Sequence, residues 1–334
     1  MDIPGGCADQ PVELVMRTPK PLPPSFSDPF LAADAQRAGL TRGRLRASDL
    51  RIPSRGIRVP RAADGDAGDL AARARPYLQL LPDAVLSHTT AARLHGIPLP
   101  ASFRREPVLH LARARAAAAT SRRHVRCHRL NLAESEIVLP SEGVRATSPV
   151  RTFIDLAGML ALPDLVAAGD WLVSEHGRSY GQVRRAVVRF EVLRSYVDGA
   201  RWVPHIRNAR AAVDLVRVGV DSVPETHLRL LLREAGLPTF HPNLPLLDAE
   251  GRPVLWSDLG CPEFRTCVEY DGEHHLMRQQ QLRDPNRDLL VSELQWHQVK
   301  VSALDMHRGP EWVAGKVVRG LKLGGWTPGA GLGE

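Results

Sequence analysis

The segment Thr266–Gly272, TCVEYDG, restricts most tightly what this chain can fold into. Its alternation has the period of two of a β-strand, with Cys267, Glu269 and Asp271 on one face and Val268 and Tyr270 on the other. A central strand that carries two ionised acids on one face is costly unless something positive lies between them. Upstream, PVLWSDLG reads as a strand ending near Asp258 and CPEFR as the turn that follows. Asp258, Glu269 and Asp271 therefore converge at the ends of neighbouring strands. Hard divalent cations take oxygen ligands and keep several waters, so this donor set points to Mg2+ or Mn2+ rather than to zinc. Such an ion activates water and stabilises charge on phosphate, which suits phosphodiester hydrolysis.

The flanking pattern is consistent with an α/β domain over 221–322. In DSVPETHLRLLLREAGLP, Ser222 caps a helix, Pro224 opens it, and Leu228, Leu231, Leu232 and Ala235 form one apolar stripe before Gly236. Glu225, three residues after Ser222, has the spacing of a capping box. Asp284 and Pro285 start a further helix with Leu289, Leu290 and Leu294 inward, and WHQVKVSA is a strand carrying Lys300. Asp271 before Gly272 also has the chemistry of a simple turn pair, and Asp288 and Arg287 that of exposed partners.

Charge separates the two ends of the chain. Residues 221–334 hold 12 basic and 16 acidic side chains, net −4, leaving 32 and 21, net +11, on residues 1–220. Most of the excess lies between Asp28 and Arg61, with eight Arg and three Asp. There Asp28 caps a helix that Gly39 ends, Thr41 caps a second helix with Arg42, Arg44 and Arg46, and IPSRGIRVP makes a hairpin around Ser54–Gly56. Helix, turn, basic helix and basic hairpin follow the plan of a winged helix-turn-helix, with Arg42, Arg44, Arg46, Arg55 and Arg58 facing DNA.

At 334 residues, with 43% hydrophobic and 24% charged side chains, the chain has the length for two or three domains and the composition of a folded globular protein. Asp155, Pro163, Asp164 and Asp170 interrupt its most apolar stretch, so no membrane span is expected. With no basic start and apolar block at the N-terminus, the expected location is the cytoplasm. Cys7, Cys127, Cys261 and Cys267 are too scattered for a disulfide framework. Residues 1–27 read as a flexible lead and 28–62 as the winged helix-turn-helix. Residues 63–160 read as a mixed α/β module, with strands in VLHL, HVRCH and GVRAT and helices capped by Ser87 and Ser148. Residues 161–220 read as a helical connector able to host a partner or a second copy, and 323–334 as a flexible tail. His124, Cys127 and His128 alternate within one strand and read as solvated face residues, not as metal ligands.

Two resemblances attach to these residues. The segment from Asp28, with SHTTAARLHGIPLP and GVRATSPVRTFIDLAG after it, resembles the N-terminal region of AbiEi-type antitoxins and related actinobacterial regulators. Residues 222–320, with PETHLRLLLREAGLP, SDLG, VEYDGEHH, RDPNRDLL and WHQVKVSA in order, resemble the Vsr-like endonuclease domains of the PD-(D/E)XK superfamily found in actinobacteria. The first likeness implies DNA as a partner, together with a toxin-like protein or a homodimer. The second implies a restriction-endonuclease-like domain with a central mixed sheet, in which Asp258 and Glu269 bind metal. Asp271 stands where many superfamily members hold Lys, and Ser257 replaces the Pro of the name motif. Under that likeness His274 or His275 acts on the water or the scissile phosphate, and Lys300 or Arg287 supplies the missing positive charge. The expected function is a DNA-binding, metal-dependent endonuclease. The alternative is an antitoxin-like transcriptional regulator whose nuclease-like domain is inactive.

Overall fold

The computed structural model describes residues 19–61, 69–118, 120–177, 183–272 and 284–328. It is a mixed α/β protein whose contacts divide it into two units, Met1–Pro82 with Thr120–His124, and Asp83–Ala119 with Val125–Glu334.

In the first unit, β1 (Phe30–Leu31), β2 (Leu50–Arg51) and β3 (Ile57–Pro60) form a small antiparallel sheet in the order β1-β3-β2. The helix expected to start at Asp28 starts later, as α1 (Ala32–Arg37), because Phe30 and Leu31 are taken up in pairing with Arg58 and Ile57. Gly39, at φ +90°, follows its end. The expected second helix is only a 3-10 turn, Arg44–Arg46, although Thr41 Oγ1 does accept the Arg44 N–H at 3.2 Å. Short elements suffice because Phe26, Phe30, Ala35, Leu45 and Leu50 bury one another. A helix α2 (Leu70–Leu80) completes the described part, with the Asp69 carboxylate accepting the Ala71 N–H at its start.

The second unit begins with a five-stranded mixed sheet in the order β6-β5-β4-β8-β7. Its strands are β4 (Val85–Leu86), β5 (Leu109–Arg113), β6 (Val125–Arg129), β7 (Ile137–Ser141) and β8 (Val144–Thr147). Helix α3 (His88–His95) follows β4, α4 (Ala101–Arg104) is a single turn, and α5 (Pro149–Leu156) follows β8. Ser148 caps α5 as expected, its Oγ accepting the Arg151 N–H. Ser87 precedes α3 without a side-chain cap, since its Oγ is bonded to the His88 ring.

Three helices follow, α6 (Leu162–Val173), α7 (Phe190–Gly199) and α8 (Ile206–Leu215), with a short hairpin of β9 (His176–Gly177) and β10 (Val183–Arg184) where part of a helical pattern was expected. One core cluster draws on Ala92, Phe153, Leu165, Leu193, Val213 and Leu230. It therefore runs from α3 and α5 through these helices into α9 (Val223–Glu234).

Helix α9 is buried on more of its circumference than one apolar stripe provides. Leu228 and Leu232 enter the core of the C-terminal sheet while Leu230 enters the other cluster, and Ala235, expected inward, is exposed. Between these directions lies Asp170 of α6, 1% exposed, whose carboxylate accepts from Thr226 Oγ1 at 2.8 Å, Arg229 at 2.7 Å and the Arg217 N–H at 2.7 Å. Burial acts to raise the Asp170 carboxyl, opposed by the Arg229 guanidinium and these hydrogen bonds, and the net direction is upward. Removing one partner of such a buried pair typically costs about 3–5 kcal/mol, since the other charge stays desolvated.

The C-terminal sheet has the order β11-β12-β13-β14, comprising His241–Leu247, Pro253–Cys261, Thr266–Asp271 and His297–Ser302. β11 went unread in the sequence because Pro242 and Pro245 interrupt it; an edge position tolerates proline. β12 and β13 are antiparallel, whereas β13 and β14 are parallel and joined through α10 (Asp284–Glu293). After β14 come α11 (Ala303–His307) and α12 (Pro310–Leu323). Helices α9 and α12 share a core with Val268, Val299 and Val301, while Val291 of α10 packs with Cys267, Leu246 and Leu255. Helix α12 approaches the sheet so closely that a Cβ at Gly320 would lie 2.6 Å from Val299 Cγ2.

Candidate active site

The antiparallel ladder of β12 and β13 pairs Leu259 with Val268, Gly260 with Cys267 and Cys261 with Thr266. Asp258 and Glu269 are the next residues on each strand, just past the last paired position. The Asp258 side chain bridges the gap, since its Oδ2 accepts the Tyr270 N–H at 2.9 Å. Where the strands part, a carboxylate thus takes the place of a ladder carbonyl.

Glu225 approaches from the first turn of α9. Its Oε2 accepts the Asp221 N–H at 3.0 Å and its Oε1 accepts from Ser222 Oγ at 2.8 Å, while Ser222 Oγ accepts the Glu225 N–H. The capping role is therefore present. A cap is usually solvated, yet Glu225 is only 8% exposed. Burial, then the charge of Asp258, push its carboxyl up to about 8. A carboxyl raised to about 8 favours its protonated form at neutral pH, the response of a buried acid beside a second anion.

Glu269 is partly buried and has a cationic partner. Arg287 of α10 donates to Glu269 Oε1 at 2.7 Å and also to the Trp256 carbonyl. Burial works against the Arg287 charge, but Glu269 and then Asp258 outweigh it and hold its pKa above the usual value. Helix α10 turns Arg287 and Val291 to the sheet, and Leu294, just past its end, packs there as expected; Leu289 and Leu290, expected inward, are 58% and 36% exposed. Cys267, on the Glu269 face, is pushed up to about 12 by burial and by Glu269, which removes it as a thiolate nucleophile.

The other expected site residues are placed less centrally. Lys300 stands directly across the parallel ladder from Glu269, and its ammonium pairs with Asp288 at 2.7 Å. Asp271 ends β13 opposite Ser302 and is exposed. His274 and His275 lie outside the described residues. The carboxylates do not place three ligand oxygens within 4.8 Å of one another; the one group of three that meets this spacing among the described residues is His88, His110 and His128. Local spacing missed that group, since its members come from α3, β5 and β6.

The five arginines expected to face DNA divide into two sets. Arg44 makes two bonds to the Asp49 carboxylate, at 2.9 and 2.7 Å, and a third to the Lys20 carbonyl. Arg58 donates to the Leu45 and Ile57 carbonyls. Both hold the unit together from within. Arg42, Arg46 and Arg55 are exposed.

No family model matches the chain. It is 26% identical over 181 residues to two uncharacterized proteins of Mycobacterium tuberculosis, one from strain CDC 1551 / Oshkosh and one from strain H37Rv. The match covers 54% of this chain and 62% of each relative, so the chain spans about three fifths of the curated relatives it matches. No described helix is long and apolar enough to cross a membrane.

The raised Glu225 carboxyl has a consequence for stability. The folded chain holds a proton that the unfolded chain releases near pH 4.5, so this contribution is complete below about 4.5 and is lost as pH rises to about 8. Urea unfolding at about pH 5 and pH 8 should show the parent losing more stability over this interval than Glu225→Gln. Equal losses in the two proteins would contradict the assignment.

Proposed function

We propose that the chain is a DNA-binding, divalent-metal-dependent endonuclease of the cytoplasm, with a restriction-endonuclease-like C-terminal domain and a winged-helix N-terminal unit. What supports this reading is the buried, raised carboxyl of Glu225 beside Asp258, with Asp258 and Glu269 both just past the last paired position of β12 and β13. All-oxygen donors beside a displaceable proton fit a hard cation such as Mg2+ or Mn2+. Asp258 and Glu269 would hold the ion, with Glu225 completing the set and Asp271 at its open end. Bound there, the metal would supply Lewis acidity and a lowered pKa for water.

The chain's own groups have separate tasks in this reading. The buried cap keeps Glu225 in one rotamer. Arg287 takes the place of the absent Lys by holding Glu269 in position and offering positive charge toward a phosphate. Lys300, one strand further out, binds the backbone of the nucleic acid once it leaves Asp288. Arg42, Arg46 and Arg55 contact phosphates from the first unit. A 3-10 turn presents few side chains to a groove, so these contacts position DNA more than they read it.

One observation favours the second reading, an antitoxin-like regulator without cleavage. The Arg287–Glu269 ion pair already neutralises one metal-binding acid. Plasmid, single-stranded DNA and RNA incubated with and without Mg2+ separate the two readings. Cleavage should require the metal and fall at least 100-fold in Asp258→Ala and Glu269→Ala with unchanged far-UV circular dichroism. Equal cutting by parent and variants would remove the site assignment; absence of cutting by the parent, with DNA binding intact, would select the regulator.

The arginine division gives a further expectation. Replacing Arg42, Arg46 and Arg55 together by Ala should weaken DNA binding and lower its salt slope by about two to three, close to 0.9 for each phosphate no longer neutralised. Arg44→Ala should instead destabilise the first unit, seen as a lower thermal midpoint. An unchanged salt slope in the triple variant would place the DNA surface elsewhere.

A further inference from the structure

The second unit contains a group of side chains that the nuclease reading does not use. His88 is the first residue of α3, His110 lies mid-strand in β5 and is fully buried, and His128 lies in β6. β5 and β6 are parallel with Ala112 opposite His128 and Arg126 opposite His110, so both imidazoles stand on one face of the sheet. His128, expected with His124 and Cys127 to be a solvated face residue, is instead partly buried against His88 and His110, while its two neighbours lie apart from the cluster. Cys127 points to the opposite face, and His124 precedes the strand at φ +61°.

The contacts of the rings direct one nitrogen of each toward the others, and His110 Nδ1 and His128 Nε2 are bonded to one another there, so an ion would displace the proton between them. Glu106 Oε1 lies 3.3 Å from His110 Nε2, and Thr89 Oγ1 donates to Glu106 Oε2 at 2.9 Å. With the Nε2 proton on Glu106, His110 Nδ1 is a bare acceptor, and it lies 2.9 Å from His128 Nε2. The Ser87 hydroxyl occupies His88 Nδ1 at 3.0 Å and leaves Nε2. One nitrogen from each ring falls within 4.8 Å of the others. A tetrahedral zinc with Zn–N of about 2.0 Å places its nitrogens about 3.3 Å apart, so ligation requires the stacked His88 and His128 rings to tilt apart until their nitrogens aim at one point.

The backbone around the cluster is fixed as well. The Ser87 N–H donates to the His110 carbonyl at 3.0 Å and the His110 N–H donates to Thr90 Oγ1 at 2.8 Å, which locks the start of α3 to β5. His88 sits at φ +50°, a left-handed conformation that a side chain adopts only under constraint. The His88 and His128 rings stack 3.6 Å apart. Burial first, and then the neighbouring imidazoles, lower His88 to about 2 and His128 to about 4, so the rings are neutral at physiological pH as ligation requires. Of the nearby cations, Arg151 is already paired with Asp155 and Glu136, and Arg126 is exposed.

We propose that His88, His110 and His128 form a three-imidazole site for a borderline divalent transition ion of the zinc class, with Glu106 as the carboxylate that orients His110. Three neutral nitrogens leave a fourth position for water, and a carboxylate behind a ligating imidazole raises its basicity. Nitrogen donors make this site distinct in ion preference from the all-oxygen acids of the C-terminal sheet, and it does not depend on the nuclease reading.

Chelator-treated full chain, carrying no affinity tag, is titrated with Zn2+ against a competing chromophoric chelator and, separately, with Co2+ followed by visible absorption. The parent should bind one Zn2+ more tightly than His128→Gln by at least 100-fold, and Glu106→Gln should fall about 10–100-fold below the parent. Bound Co2+ should show the intense visible bands of four-coordinate nitrogen ligation, a readout that needs no variant. Asp258→Ala combined with Glu269→Ala should bind Zn2+ as the parent does. A Co2+ spectrum that stays weak and six-coordinate, or equal Zn2+ affinity in parent and His128→Gln, would overturn the site and leave the histidines as a buried hydrogen-bonded stack.

Discussion

Crowding of carboxylates where two strands separate is the constraint on which the C-terminal half is organised. Asp258 could not face Glu269 across a continuous ladder without direct repulsion. The ladder instead ends at Leu259 and Val268, and the Asp258 carboxylate accepts the Tyr270 N–H beyond it. Glu225 is brought to the same place by a cap that has to be buried, and it yields by holding a proton. Arg287 then settles the remaining charge on Glu269 from across the sheet. Each arrangement is costly alone; they coexist because each supplies what another lacks.

Helix α9 transmits this constraint to the rest of the second unit. Its first turn holds Glu225, its middle holds Thr226 and Arg229 against Asp170 of α6, and its leucines enter two cores. A shift of α9 that relieved Glu225 would break the buried Asp170–Arg229 pair. The stability of the helical layer is thus coupled to the geometry of the acids. A similar division of roles appears in the first unit, where Arg44 and Arg58 direct their donors inward and leave Arg42, Arg46 and Arg55 for solvent.

What the sequence made legible was chiefly local. Ser222 with Glu225 and Ser148 with Pro149 announced their helices correctly because a cap is decided within four residues. Alternation in TCVEYDG placed Glu269 and Cys267 on one face, as their shared proximity to Arg287 bears out. Nonlocal features were less accessible. Leu294 packs inward as expected, but Leu289 and Leu290, apolar as they are, face outward, and Arg287 and Val291 turn to the sheet in their place. Charge density suggested a basic recognition helix, but the segment forms only a 3-10 turn, Arg44–Arg46, before β2 begins at Leu50. Alternation reads His128 as a solvated face residue and says nothing of His88 and His110, because only the fold brings the three together.

The cation site proposed at these acids has one proton to displace. Calorimetric titration of the parent with Mg2+ at about pH 7, in two buffers of different ionisation enthalpy, measures that proton directly. Release of close to one proton per bound ion, abolished in Glu225→Gln, is the result expected from a carboxyl raised to about 8. Mg2+ binding with no proton released, or proton release unchanged in Glu225→Gln, would contradict it.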